Sequence, residues 1–197
     1  KVLLTNKINP IMVIIYQKNS VNKLLKSKII NLIKKKNLEY LDVSKTPINS
    51  DKMFNFLSNY TKKNILVSLY PGEIIKNKRL LEKKNLIHNH TGILPNYKGS
   101  TTIYYSILKE RKIFCTTFIM NKSIDEGKIL YFSKYNFPNK KMSIDEYDNK
   151  IRAKHFLNFL KGKKNIKIKL NKGLYYTIHP ILRNLAHKVF NDNLDIR

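Results

Sequence analysis

Short β-branched runs separated by segments of helical period fill this chain, and that alternation leaves few folds open to it. Ile11–Tyr16 (IMVIIY), Leu38–Val43 (LEYLDV), Ile65–Tyr70 (ILVSLY) and Ile113–Met120 (IFCTTFIM) read as buried strands. Behind Ser20, residues Val21, Leu24, Leu25, Ile29, Leu32 and Ile33 recur at helical spacing, and behind Ser50 so do Met53, Phe54, Leu57 and Tyr60. Glu73–Lys84 reads as a polar helical connection. Ser100 is a candidate cap for a helix bearing Ile103, Tyr104, Ile107 and Leu108. Ser143-Ile144-Asp145-Glu146 forms a capping box for another, and a last helix follows Pro180. Strands alternating with helices predict an α/β fold: a doubly wound, mostly parallel sheet flanked by helices. Lys1–Asn6 also reads as a strand, but too few residues separate it from the next for a crossover helix, so an irregular start is expected. Lys128–Phe132 is a further strand, and Lys161–Lys172 a lysine-rich turn and short edge strand. With no internal repeat and no linker, residues 1–197 are expected to form a single domain.

Composition narrows the function classes. The apolar runs are too short to span a bilayer. A lone cysteine, Cys115, excludes an internal disulfide framework and fits a reducing compartment, so the cytoplasm is the expected setting. With 39 basic and 13 acidic residues the chain carries a net charge of +26, which favours anionic partners. The basic residues are almost all lysine, accompany abundant Asn and Ile, and are spread along the whole chain, as an AT-rich coding sequence would give. Arginines interleaved with aromatics, the usual mark of a nucleic-acid surface, are not concentrated anywhere. A nucleic-acid partner is therefore not expected, and the charge is read as attraction for a small anionic substrate.

Chemistry-bearing residues gather in Asn85–Gly99 (NLIHNHTGILPNYKG). If residues 86–90 are extended, His88 and His90 share one face at a strand's carboxyl end and Asn89 points away. That end is where open α/β sheets bind ligands. A second such residue, Asp125, lies in the turn Ser123-Ile124-Asp125-Glu126-Gly127. A histidine beside a carboxylate serves as a general acid/base with its tautomer fixed. Taken alone, the two histidines equally suit a packed structural loop, and with Asp125 they could hold zinc in a metal-dependent hydrolase. A non-catalytic, basic RNA-binding protein on a degenerate α/β fold is a third reading.

Two segments resemble the signatures of the formyltransferases that use N10-formyltetrahydrofolate. HNHTGILPNYKG is similar to N-x-H-x-[SG]-L-L-P-x-Y-R-G, and FCTTFIMNKSIDEGKIL to the second signature, with the family's histidine and aspartate falling on His90 and Asp125. The 35 positions from His90 to Asp125 match the family spacing. The likeness is strongest over residues 66–130, with residues 161–197 as a C-terminal extension.

The resemblance implies the Rossmann-like formyltransferase fold and transfer of a formyl group from N10-formyltetrahydrofolate to a primary amine. It implies catalysis by His88, His90 and Asp125, with His88 standing where the family has asparagine and donating to the oxyanion in its place. It assigns the folate carrier to Tyr70, Gly72, Ile74, Met120, Ser123 and Ile124, and assigns Lys98 and Tyr97 to substrate, Lys98 at the family's arginine position. No metal is implied. A chain ending at Arg197 is expected to lack the domain with which initiator-tRNA-formylating members hold tRNA, so the expected acceptor is small. A nucleotide-linked amino sugar fits the Thr91-Gly92 version of the motif, with glycinamide ribonucleotide as the alternative. A homodimer is compatible with this reading, and no membrane partner is expected.

Overall fold

The computed structural model describes residues 10, 12–15, 23–43, 46–69, 73–166, 173 and 177–195. The strand expected at Lys1–Asn6 and the caps expected from Ser20 lie outside them. The chain divides into two compact units, Lys1–Tyr60 and Thr61–Arg197.

In the first unit, strand β1 (Met12–Ile15) and strand β2 (Glu39–Asp42) pair in parallel, Met12 opposite Glu39. Helix α1 (Lys23–Lys35) supplies the crossover that parallel pairing requires. It buries Ile33 and ends in Lys34 and Lys35, which favour the negative end of the helix dipole. Helix α2 (Asp51–Asn59) starts where expected. Ser50 Oγ accepts the Met53 N–H at 3.2 Å, and Met53 and Leu57, one turn apart, are buried.

The second unit is built on a four-stranded sheet in the order β3-β4-β5-β6: Asn64–Val67, Asn85–His90, Ile113–Met120 and Gly127–Tyr135. β3 and β4 are parallel, with Val67 opposite His88. Their crossover is shorter than the helix expected over Glu73–Lys84. Helix α3 is only Lys78–Lys83, capped by Asn77 Oδ1 on the Leu80 N–H at 3.1 Å, and residues 73–77 have no regular structure. The sheet is also less parallel than expected. β4–β5 and β5–β6 are antiparallel; for the second pair the short loop 121–126 cannot hold a crossover.

β5 is buried along most of its length, with Ile113 and Cys115 facing one way and Phe114 and Phe118 the other. A strand covered on both faces reads as a continuous apolar run, whatever its pairing direction.

Helix α4 (Thr102–Tyr105) runs on into a π-helical turn, Ser106–Glu110, which ends at Arg111 in the left-handed region. The cap expected from Ser100 is absent. The N-cap position is Thr101, whose Oγ1 instead accepts the Ile178 N–H at 3.0 Å and ties the two segments together. Helix α5 (Ile144–Leu160) has its expected cap, Ser143 Oγ accepting from Glu146 N at 3.1 Å.

Helix α6 (Pro180–Asp195) packs Ala186 and Phe190 into the main core with Ile103, Ile107, Ile113 and Ile151. Phe190 meets the rings of Phe137 and Tyr147 at 5.5 and 5.7 Å, tilted geometries that aromatic pairs favour. The described part of the expected 161–172 edge, up to Ile166, is not a strand. It nonetheless lies along β6, with Asn165 Oδ1 accepting Phe132 N–H at 2.6 Å.

Candidate active site

β4 delivers the two histidines as its alternation predicts. His88 and His90 leave one face of the strand, and Asn89 leaves the other. Asn89 is buried, its Oδ1 accepting from Thr117 Oγ1 at 2.6 Å and its Nδ2 donating to the Arg152 carbonyl at 2.9 Å.

Arg152 answers with a bond from its guanidinium to the Asn89 carbonyl (3.1 Å) and a second to Asp148 (3.0 Å). Asp148 in turn accepts from Thr91 Oγ1. This network bolts the end of β4 to α5. Asp148 and Arg152 are acid and base at i,i+4 on one helix, a spacing visible in the sequence but not read as part of the site.

His90 is almost fully buried and its tautomer is fixed from behind. Its Nε2 lies 3.0 Å from the Tyr97 carbonyl and 3.1 Å from Thr102 Oγ1. Thr102 spends its own proton on the Thr91 carbonyl at 2.6 Å, so both groups facing Nε2 are acceptors and Nε2 carries the hydrogen. Nδ1 is left as the reactive nitrogen. It faces Asp125 Oδ1 at 3.7 Å, too long for a hydrogen bond but within ion-pair range.

The other carboxylate oxygen of Asp125 accepts the Gly99 N–H at 2.7 Å. Asp125 itself sits at φ +51, a left-handed position that Asp tolerates better than most side chains. Burial pushes the His90 pKa down, while the Asp125 charge pulls it up. The ring is therefore neutral at rest, beside a carboxylate that would stabilise its protonated form.

His88 differs from the role expected of it. Its Nδ1 is 3.0 Å from the Val67 carbonyl on β3, so the single N–H of the neutral ring points there and Nε2 is an acceptor. Burial is the main cause that lowers its pKa to about 4, against the Val67 hydrogen bond, which raises it, and the Arg152 charge adds to the lowering. At neutral pH the ring is uncharged and cannot also donate from Nε2. The edge of the ring meets Phe118 at 5.9 Å, nearly perpendicular.

Gly92 makes room for this arrangement. A Cβ there would come within 2.9 Å of His90 Nε2, Thr102 Cβ and Thr102 Oγ1. Gly92 also anchors the turn, its carbonyl accepting from Thr116 Oγ1 at 2.7 Å.

The remaining predicted residues are less tightly gathered. Tyr97 supplies its carbonyl to His90, but its ring stacks on Tyr105 at 6.0 Å and its hydroxyl donates to Glu110 at 3.2 Å. Lys98 Nζ is paired with Glu126 at 2.5 Å. Ser123 is exposed, its N–H turned onto Asn121 Oδ1 at 2.9 Å. Met120 closes β5 opposite Gly127. Ile74 and Ile124 leave large apolar side chains 42% and 46% exposed. Tyr70 and Gly72 lie outside the described residues. Among the described residues no group of three or more His, Cys, Asp or Glu is arranged to hold a metal ion. No helix among them is long and apolar enough to cross a membrane.

No family model matches the sequence. Methionyl-tRNA formyltransferase of Finegoldia magna is 33% identical over 104 residues, 51% of this chain and 33% of that protein, so the match spans about a third of its relative. Among solved structures, a sugar N-formyltransferase from Shewanella sp FDAARGOS_354 superposes with a TM-score of 0.54 at 18% identity, covering 92% of this chain and 88% of that one. The formyltransferase PseJ from Anoxybacillus kamchatkensis, solved with UDP-4,6-dideoxy-4-formamido-L-AltNAc and tetrahydrofolate, gives a TM-score of 0.50 at 16% identity, covering 84% and 85%. The chain thus has the fold of the formyltransferases, and half of it is similar in sequence to a methionyl-tRNA formyltransferase.

Proposed function

We propose that this protein transfers the formyl group of N10-formyltetrahydrofolate to the primary amine of a small anionic acceptor, a nucleotide-linked amino sugar. One observation carries the reading: a buried histidine whose Nε2–H is tied to backbone, leaving Nδ1 aimed at a carboxylate that is itself held by a backbone N–H. This is a general acid/base with its orientation and protonation site chosen in advance. Its place at the carboxyl end of β4, and the likeness to proteins named for formyl transfer, support the choice of reaction.

In this reading the exposed side chains of Ile74 and Ile124 cover the pterin, with Tyr70, Gly72, Met120 and Ser123 completing the slot. Lys98 exchanges Glu126 for substrate phosphate, and Tyr97 borders the same end. The chain's positive charge draws the anionic acceptor in. The setting is the cytoplasm, where a single thiol stays reduced, and a homodimer is the assembly to look for by light scattering.

The test is thermal stability with and without 5-formyltetrahydrofolate, a carrier analogue. Ligand at 100 times Kd stabilises the folded state by about 2.7 kcal/mol, a rise of several degrees in Tm. Formylation is then followed with two amines, the amine precursor of the PseJ-bound product and glycinamide ribonucleotide. No shift at saturating analogue refutes the reading. Faster formylation of glycinamide ribonucleotide keeps the reaction but changes the acceptor.

A further inference from the structure

We infer that His88 Nε2 is a proton acceptor for the incoming amine, the opposite polarity to the amide donor that the family pattern places at this position. The inference rests on the formyltransferase reading above.

A neutral imidazole has one N–H, and here the sheet decides where it sits. Val67 is the register partner of His88 across the parallel β3–β4 pair, so the carbonyl 3.0 Å from Nδ1 is fixed by backbone pairing and not by a mobile side chain. A carbonyl only accepts, so the hydrogen is on Nδ1 and the lone pair on Nε2. Turning the ring over would put a carbon where Nδ1 now donates and lose that hydrogen bond, a cost of about 1 kcal/mol. Nε2 has no hydrogen-bond partner among the described residues. An asparagine in the same place would offer an N–H₂ group and no basic nitrogen.

The charged groups around the ring bear on how long it holds a proton. Arg152 opposes a positive charge at His88, and Asp125 favours one. The proton is therefore held only in passing.

In the reaction, the amine lone pair forms the new bond to the formyl carbon and the carbonyl π pair moves onto oxygen. One N–H proton of the attacking nitrogen passes to His88 Nε2. Nε2–H is now a donor beside the oxyanion, so the ring supplies the missing hydrogen bond after the attack and not before it. On collapse the oxygen pair re-forms the carbonyl, the bond from carbon to N10 breaks, and N10 takes the proton from Nε2 by way of His90 Nδ1, the acid/base of the proposed reaction. The products are the formamide and tetrahydrofolate, and His88 is neutral again.

The deciding experiment is a two-bond 1H–15N spectrum of the histidine-labelled wild-type protein at pH 7, with and without 5-formyltetrahydrofolate. The expected result is a His88 ring protonated at Nδ1 and bare at Nε2, whose resonances move when the analogue binds. A ring protonated at Nε2, or at both nitrogens, overturns the inference while leaving formyl transfer intact. A bare Nε2 that does not respond to saturating analogue instead places the failure in the formyltransferase reading, and takes the inference with it. With the amino-sugar acceptor, His88→Asn is expected to lose about 10²–10⁴-fold in kcat, the usual worth of a positioned base, with little change in KM for the carrier. An asparagine variant as fast as wild type overturns the base role.

Discussion

Acid should unfold this protein in part through one buried histidine remote from the proposed chemistry. His155, on α5, has no exposed surface. Its Nδ1 is paired with Ser133 Oγ at 2.6 Å, while its Nε2 has no partner among the described residues. The rings of Tyr131 and Tyr135 close over it, at 4.7 and 6.2 Å. Burial lowers its pKa from 6.5 to about 3.

Because the folded pKa is the lower one, the unfolded chain binds the proton more readily. The stability contribution is therefore complete above pH 6.5 and is lost as pH falls towards 3. Integrating that difference from pH 7 to pH 4 gives about 3 kcal/mol, a large part of the margin of an ordinary domain. The assay is urea unfolding at pH 7 and pH 4 for the wild type and for His155→Phe, which keeps the ring and removes the proton site. The variant gives up a hydrogen bond at both pH values, a cost of about 1 kcal/mol that cancels in the comparison. So does the self-repulsion of a chain carrying a net charge of +26. His155→Phe is expected to lose about 3 kcal/mol less than wild type on acidification. Equal losses would refute the argument that burial holds His155 neutral.

Two glycines give further tests. Gly92→Ala places a methyl group 2.9 Å from His90 Nε2 and Thr102, and must push the histidine off the Tyr97 carbonyl. It is expected to cost about 1–3 kcal/mol in stability and to lower kcat more than it raises KM for the carrier; a variant with wild-type kcat would show that the His90 seat tolerates displacement. Gly127→Ala is more severe. Its φ of +140 suits glycine alone, and a Cβ there would stand 1.9 Å from the Ile119 carbonyl across the β5–β6 pair. Soluble yield should collapse, and a well-folded variant in a circular dichroism melt would contradict the geometry.

Much of this molecule was legible in the sequence because periodicity is a local property. The alternation of residues 85–90 puts His88 and His90 on one face and Asn89 on the other in any extended strand. The caps at Ser50 and Ser143 need only a short polar side chain at a helix start, and both formed. The α/β class followed from the same alternation of short runs. The direction of the last two strands did not, because β5 buried on both faces reads the same in a parallel or an antiparallel sheet.

Protonation was decided by contacts that no spacing encodes. That His90 keeps its hydrogen on Nε2 depends on the Tyr97 carbonyl and on a threonine twelve residues away, whose own proton is spent elsewhere. That His88 presents a lone pair depends on the Val67 carbonyl, brought alongside by the register of β3 against β4. Which residue types stand at the carboxyl end of β4 is written in the chain; which of their nitrogens carries the proton is settled by backbone carbonyls that only the folded sheet brings within 3 Å.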